Sequence, residues 1–89
     1  MGLVSHTHPD FWKCYRSLPK EVQDLADKKF ELFQSDPFHR SLGFAQKGAV
    51  WTVDVGLHYR AIGWREENNL VWFWIGSHEE YNKLMNRIR

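Results

Sequence analysis

A single cysteine, Cys14, excludes an internal disulfide. The N-terminal residues carry no charged-then-apolar leader, so a reducing, cytoplasmic setting is expected. Excess charge of one sign is also lacking: twelve Lys plus Arg stand against eleven Asp plus Glu, a formal charge of +1. Any basic binding site must therefore be local and not a property of the whole surface. No apolar run approaches the ~20 residues needed to span a bilayer; the longest, Leu70 to Gly76, is far shorter. A soluble protein without a membrane partner is expected. There is no Pro/Gly/Ser linker, low-complexity tract or repeat of solenoid period, and 89 residues leave room for one domain over 1–89. Phosphate-cradling glycine loops and nucleophile elbows are missing, and His6, His8, His39 and His58 show no metal-ligand spacing with Cys14. Neither a metal nor a cofactor is expected. What the chain does have is apolar and aromatic residues, 43% and 16%, which suits a packed core and excludes a disordered chain.

The three prolines mark element boundaries. Residues 2–6 are compatible with a short strand, Thr7 with a helix N-cap, and Pro9 with an early helical position leading into Asp10 to Ser17. Pro19 restarts a second helix to about Gln34, in which Val22, Leu25, Ala26, Phe30 and Phe33 form one apolar stripe. Asp36-Pro37 ends it. So short a connection predicts an antiparallel helical hairpin that must bury its stripe on another layer.

That layer is a three- to four-stranded antiparallel meander, punctuated at Lys47-Gly48, Gly56-Leu57-His58 and Glu66-Glu67-Asn68-Asn69. A three-residue middle loop sets Val55 against Tyr59, Asp54 against Arg60, Val53 against Ala61 and Trp51 against Gly63. Carried across the next loop, the register sets Trp72 beside Gly63, Trp74 beside Ala61 and Arg60 opposite Ile75. Phe44, Trp51, Val53, Trp72 and Trp74 then lie under the helices, and Ile62, Trp64, Val71, Phe73 and Ile75 on the other face. Ser77-His78-Glu79-Glu80 is a capping box followed by Tyr81, Leu84, Met85 and Ile88 at helical spacing, so a C-terminal helix starts at Ser77. The fold class is α+β.

This register brings Arg60, His78 and Tyr81 to one end of the sheet. A helix start favours a neutral imidazole able to accept a proton. Arg60 and the free N–H groups of the first turn suit an anion such as phosphate. Together they outline a phosphodiester-cleaving site. Taken singly each residue is ordinary: Arg60 pairing with Asp54 across an exposed hairpin is worth under ~1 kcal/mol. Lys20, Lys28, Lys29 and Lys47 read as solvated faces, and Trp72-Phe73-Trp74 as core and not as a base-stacking platform.

Leu18-Pro19-Lys20-Glu21-Val22-Gln23, Asp36-Pro37, Ser41-Leu42, Trp51 to Gly56, His58-Tyr59-Arg60-Ala61 and Trp74 to Tyr81 together resemble the RelE/ParE superfamily of bacterial type II toxin-antitoxin toxins. The Tyr-Arg pair followed by Ile-Gly-x-His-x-x-Tyr carries most of the likeness. The resemblance implies a compact toxin, neutralised by a cognate antitoxin segment wrapped over it and able to form an oligomer with it. In the RelE-like branch it implies an endoribonuclease acting on mRNA on the ribosome. There the ribose 2′-hydroxyl attacks the adjacent phosphate, a base takes its proton, and cations stabilise the phosphorane. Carried over by position, Arg60 binds the scissile phosphate, and His78 and Tyr81 serve proton transfer or nucleotide contact. The preceding strand departs from the pattern, with Thr52 and Asp54 where such nucleases commonly place Lys or Arg. Asp54 either partly neutralises Arg60 or acts as a carboxylate base. The rival implication is a noncatalytic protein of the same fold, a ParE-like gyrase inhibitor or a chain that only engages an antitoxin.

Overall fold

The computed structural model describes residues 3–88, the side chain of Ile88 excepted. Gly2, the start of the expected first strand, and the Ile88 side chain, the end of the expected C-terminal stripe, lie outside the described residues. The elements are β1 (Val4–Thr7), α1 (Pro9–Arg16), α2 (Lys20–Ser35), a 3-10 turn (Arg40–Leu42), β2 (Ala45–Lys47), β3 (Val50–Val55), β4 (Tyr59–Glu66), β5 (Asn69–Ser77) and α3 (His78–Ile88).

The expected α+β class holds, with five strands where three or four were expected. Their order is β1-β5-β4-β3-β2. The fifth is β1, expected as a short strand over residues 2–6 but not as part of the sheet, which it joins by pairing parallel with β5, Val4 against Asn69 through Thr7 against Trp72. Its sequence VSHT lacks apolar alternation, so hydropathy does not reveal its partner. A side-chain bond adds to the backbone ladder: Trp72 Nε1 donates to Ser5 Oγ at 2.9 Å. The α1 cap also lies one residue later than expected. His8 Nδ1 accepts from the Asp10 N–H at 3.1 Å, whereas Thr7 remains in β1 and its Oγ1 accepts from Trp12 Nε1 at 3.0 Å.

The helical hairpin packs its stripe on one sheet face. Phe11 and Phe30 meet edge to face, as do Phe30 and Trp72, and Phe33 and Trp72. Phe11, Phe33, Leu42, Leu70 and Trp72 are at most 1% exposed, each burial contributing roughly 1.5–3 kcal/mol before the entropy of ordering is charged against it. Between the helices, the Tyr15 hydroxyl donates to Asp27 Oδ1 at 2.8 Å, and that bond holds the phenol pKa above its ordinary 10.0.

The β3–β4 register matches expectation from Val55 against Tyr59 to Trp51 against Gly63. Between β4 and β5 the expected pairing holds from Glu66 against Asn69 to Gly63 against Trp72, joined by a two-residue turn instead of four, with Glu67 at φ 56°. A bulge between Ile62 and Gly63 then shifts the remainder by one: Ile62 faces Trp74, Ala61 faces Ile75, and Arg60 faces Gly76. Trp74 beside Ala61 and Arg60 opposite Ile75 are therefore corrected. Because side chains alternate, the extra residue exchanges the faces of Trp74 and Ile75. Ile75 joins the core with Trp72, and the Trp74 indole lies 2.6 Å from where a Cβ on Gly76 would stand. Glycine at 76 leaves room for that ring.

Candidate active site

The site begins with the turn from Gly56 to His58. It sets the second-last residue of β3, Asp54, directly across from the second residue of β4, Arg60. Asp54 Oδ1 stands 3.1 Å from Arg60 Nε. The single hydrogen on that nitrogen is directed at His78 Nε2, 3.0 Å away. His78 Nε2 is thus the acceptor, which places the proton of a neutral ring on Nδ1.

The imidazole is held by the way α3 begins. Ser77 N–H donates to Glu80 Oε1 at 3.1 Å, and Glu80 N–H donates to Ser77 Oγ at 3.2 Å. This is the reciprocal capping box expected from the sequence. The His78 N–H is tied to the His58 carbonyl at 2.8 Å, which anchors the helix start to the β3–β4 turn. One turn on, the Tyr81 ring lies under the guanidinium, 5.0 Å from Arg60 Cζ to the ring centroid. Only 6% of Tyr81 is exposed, so it is a floor for Arg60 and its ring offers no free face to a base. The arrangement is a cation held between a carboxylate, an imidazole and an aromatic ring.

The carboxylate is confined from the other side. Gly43, at φ +54°, leads from the 3-10 turn toward β2, and a Cβ there would stand 2.5 Å from Asp54 Oδ2. Glycine is favoured at that conformation, and any larger residue there would push the Asp54 carboxylate aside. The Arg60 and Asp54 side chains keep 24% and 38% of their surface exposed, so the pair is screened and its attraction modest. Thr52, expected to point the same way as Arg60, is buried.

Arg60 and Tyr81 line a cleft of about 740 Å³ between α3 and the β2–β3 hairpin. Lys47, Gln46, Asn82, Met85 and Asn86 line it too. Lys47 was expected on a solvated face; it is exposed but opens onto the same cleft as Arg60, and it makes no ion pair with another described residue. Its signal was the hairpin turn it begins, and Asn82 and Asn86 were signalled by their four-residue spacing on α3. Among the described residues no group of three or more His, Cys, Asp or Glu could hold a metal ion. His6 instead bonds Asn69, and His8 and His39 cap helical turns. No helix among the described residues is long and apolar enough to cross a membrane.

The ParE-like toxin domain family matches residues 20–83, from the first residues of α2 into α3. The chain belongs to the ParE-like toxin family. No curated protein is similar enough in sequence to match. Solved structures share the fold of this ParE-like toxin at low identity. The archaeal RelE-RelB complex from Pyrococcus horikoshii OT3 contains a chain 16% identical, covering 86% of this chain and 96% of its own, with a TM-score of 0.66. YafQ from E. coli is 11% identical over 89% of this chain and 97% of its own, TM-score 0.67. A mutant of the E. coli toxin RelE in the free state is 16% identical over the whole of both chains, TM-score 0.66. The toxin therefore has the RelE-like fold, and the four expected site residues, Asp54, Arg60, His78 and Tyr81, meet at one end of its sheet.

Proposed function

We propose that this ParE-like toxin is an mRNA endonuclease that inhibits translation on the ribosome and is neutralised by a cognate antitoxin. The observation that carries the reading is the Arg60 Nε–H donated to His78 Nε2 at 3.0 Å, a cation and a proton acceptor side by side at the mouth of a cleft. A phosphate drawn to the remaining guanidinium N–H groups competes for Arg60 and releases the His78 lone pair. His78 then takes the 2′-hydroxyl proton, the 2′-oxygen attacks phosphorus, and the P–O5′ bond breaks. The products are a 2′,3′-cyclic phosphate and a 5′-hydroxyl, with the proton reaching the leaving oxygen through solvent. Arg60 and Lys47 stabilise the added charge on the phosphorane, and Tyr81 positions Arg60 from below. The antitoxin assignment is supported by a fold relative from Methanococcus jannaschii, a RelB-RelE antitoxin-toxin complex with a TM-score of 0.67 to this chain.

A second reading is favoured by one contact. Asp54 at 3.1 Å offsets part of the charge of Arg60, which suits a noncatalytic member that binds DNA gyrase or only an antitoxin. Mapping mRNA 5′ ends after induction separates the two. Cuts inside codons that vanish in Arg60→Gln support the nuclease; intact mRNA with trapped gyrase supports the rival.

A further inference from the structure

The cleft beside Arg60 has a chemistry that phosphate binding does not use. Asn82 and Asn86 stand four residues apart on α3 and line the same wall, which sets their Cβ atoms about 5–6 Å apart. Both are exposed, and neither amide bonds another described side chain or backbone group. Met85, half-buried between them, supplies an apolar, polarisable bed. Across the cleft the Gln46 amide nitrogen is engaged, donating to the Gly48 carbonyl at 3.2 Å. A Cβ on Gly48 would meet nothing within 4 Å, so that wall stays open. At about 740 Å³ the space falls within the range of small-molecule sites.

From this we infer that α3 carries a base-reading subsite, in which Asn82 and Asn86 recognise the edge of an adenine next to the phosphate held by Arg60. The inference rests on the nuclease reading for its place in the reaction, and on the cleft alone for its binding. An asparagine amide presents one donor and one acceptor, which matches the N7 acceptor and N6 donor of adenine. Guanine presents two acceptors on that edge and calls for a bidentate cation. The nearest such cation, Arg60, has its Nε held by Asp54 and His78 and its remaining N–H groups assigned to the phosphate in this reading, and Lys47 is a point donor. Single-stranded RNA is read in this way, by splayed bases bonded along their edges. Because Tyr81 is covered, stacking adds little and the amide edges decide.

The test is titration of the full chain with adenosine 5′-monophosphate, guanosine 5′-monophosphate and uridine 5′-monophosphate, with codon-resolved cleavage mapping in parallel. The adenine nucleotide should bind roughly 10-fold more tightly than the other two, within the discrimination a bidentate amide supplies. Asn82→Ala with Asn86→Ala should bring it down to their level, with an unchanged Tm, while Arg60→Gln should weaken all three alike. Equal affinities in the wild type, or a preference that survives the double substitution, overturn the inference. Adenine preference without mRNA cleavage upholds the subsite and refutes the nuclease; cleavage without any base preference does the reverse.

Discussion

Replacing Asp54 by Asn removes one negative charge while keeping the shape that fits against Gly43. The Oδ1 to Nε distance of 3.1 Å makes the pair a close one. Its exposed surface lets solvent screen the attraction into the ~0.2–1 kcal/mol range of exposed pairs. Stability should therefore fall by no more than about 1 kcal/mol, a Tm change of at most about 4–8 °C for a domain of this size. The same energy, no longer spent on holding Arg60, becomes available to phosphate. At 1.4 kcal/mol per factor of ten, RNA should bind up to about 5-fold more tightly. One further phosphate contact should also steepen the salt dependence by about 0.7 in the logarithmic slope for single strands. Fluorescence anisotropy with an RNA carrying 2′-deoxyribose at the cut, between 50 and 200 mM salt on the order of the usual window, measures both quantities. Cleavage on programmed ribosomes is followed alongside. Unchanged affinity and slope would refute the shielding argument. A cleavage loss of about 100-fold at unchanged affinity would make Asp54 the base in place of His78.

His78→Ala should slow cleavage by about 10²- to 10⁴-fold and cost little stability, because Asp54 Oδ1 remains 3.1 Å from the Arg60 nitrogen; single-turnover kinetics and thermal unfolding check the two halves. Tyr81→Phe should leave cleavage within about 2-fold, since the ring under Arg60 is kept, whereas Tyr81→Ala should cost roughly 3 kcal/mol or more for a buried aromatic. A large rate loss in Tyr81→Phe would instead assign proton transfer to the hydroxyl. The Tyr15 phenol has a folded pKa raised above 10.0, chiefly by its bond to Asp27. Its contribution to stability is thus present below the unfolded value and lost as pH rises through the folded one. Thermal melts should show wild type more stable than Tyr15→Phe near pH 8 and the gap closing above about pH 10. A gap that is constant with pH would show that the bond does not couple to titration.

Much of this arrangement is legible along the chain because it is local. A three-residue turn sets Asp54 opposite Arg60 whatever else happens, and the Ser77–Glu80 box announces the helix start that holds His78. The β4–β5 register is legible only as far as Gly63. A single unpaired residue then exchanges Trp74 for Ile75, and both are large and apolar, so hydropathy does not distinguish the two alternations. The neighbour of Arg60 moves from Ile75 to Gly76, but the site survives because both lie at the same sheet end. Lys47, Asn82 and Asn86 share a cleft through the course of α3 across the sheet face; the four-residue spacing puts the two asparagines on one helix face, but what that face meets is a tertiary fact the spacing does not carry. The partner of β1 is hidden for the same reason, since four mostly polar residues carry no pattern that points to a strand so distant.

That parallel pairing has a consequence for the birth of the molecule. Ser5 must wait for Trp72, 67 residues later, and β5 runs directly into the helix that carries His78. Until β5 has been made, the central strand of the β1-β5-β4 trio is therefore missing and the imidazole has no place beside Arg60. Contacts so remote in sequence also form slowly, because loop closure precedes any gain from pairing. A protein proposed to attack messages on ribosomes is thus assembled in an order that leaves its site unfinished until β5 and the helix after it are in place.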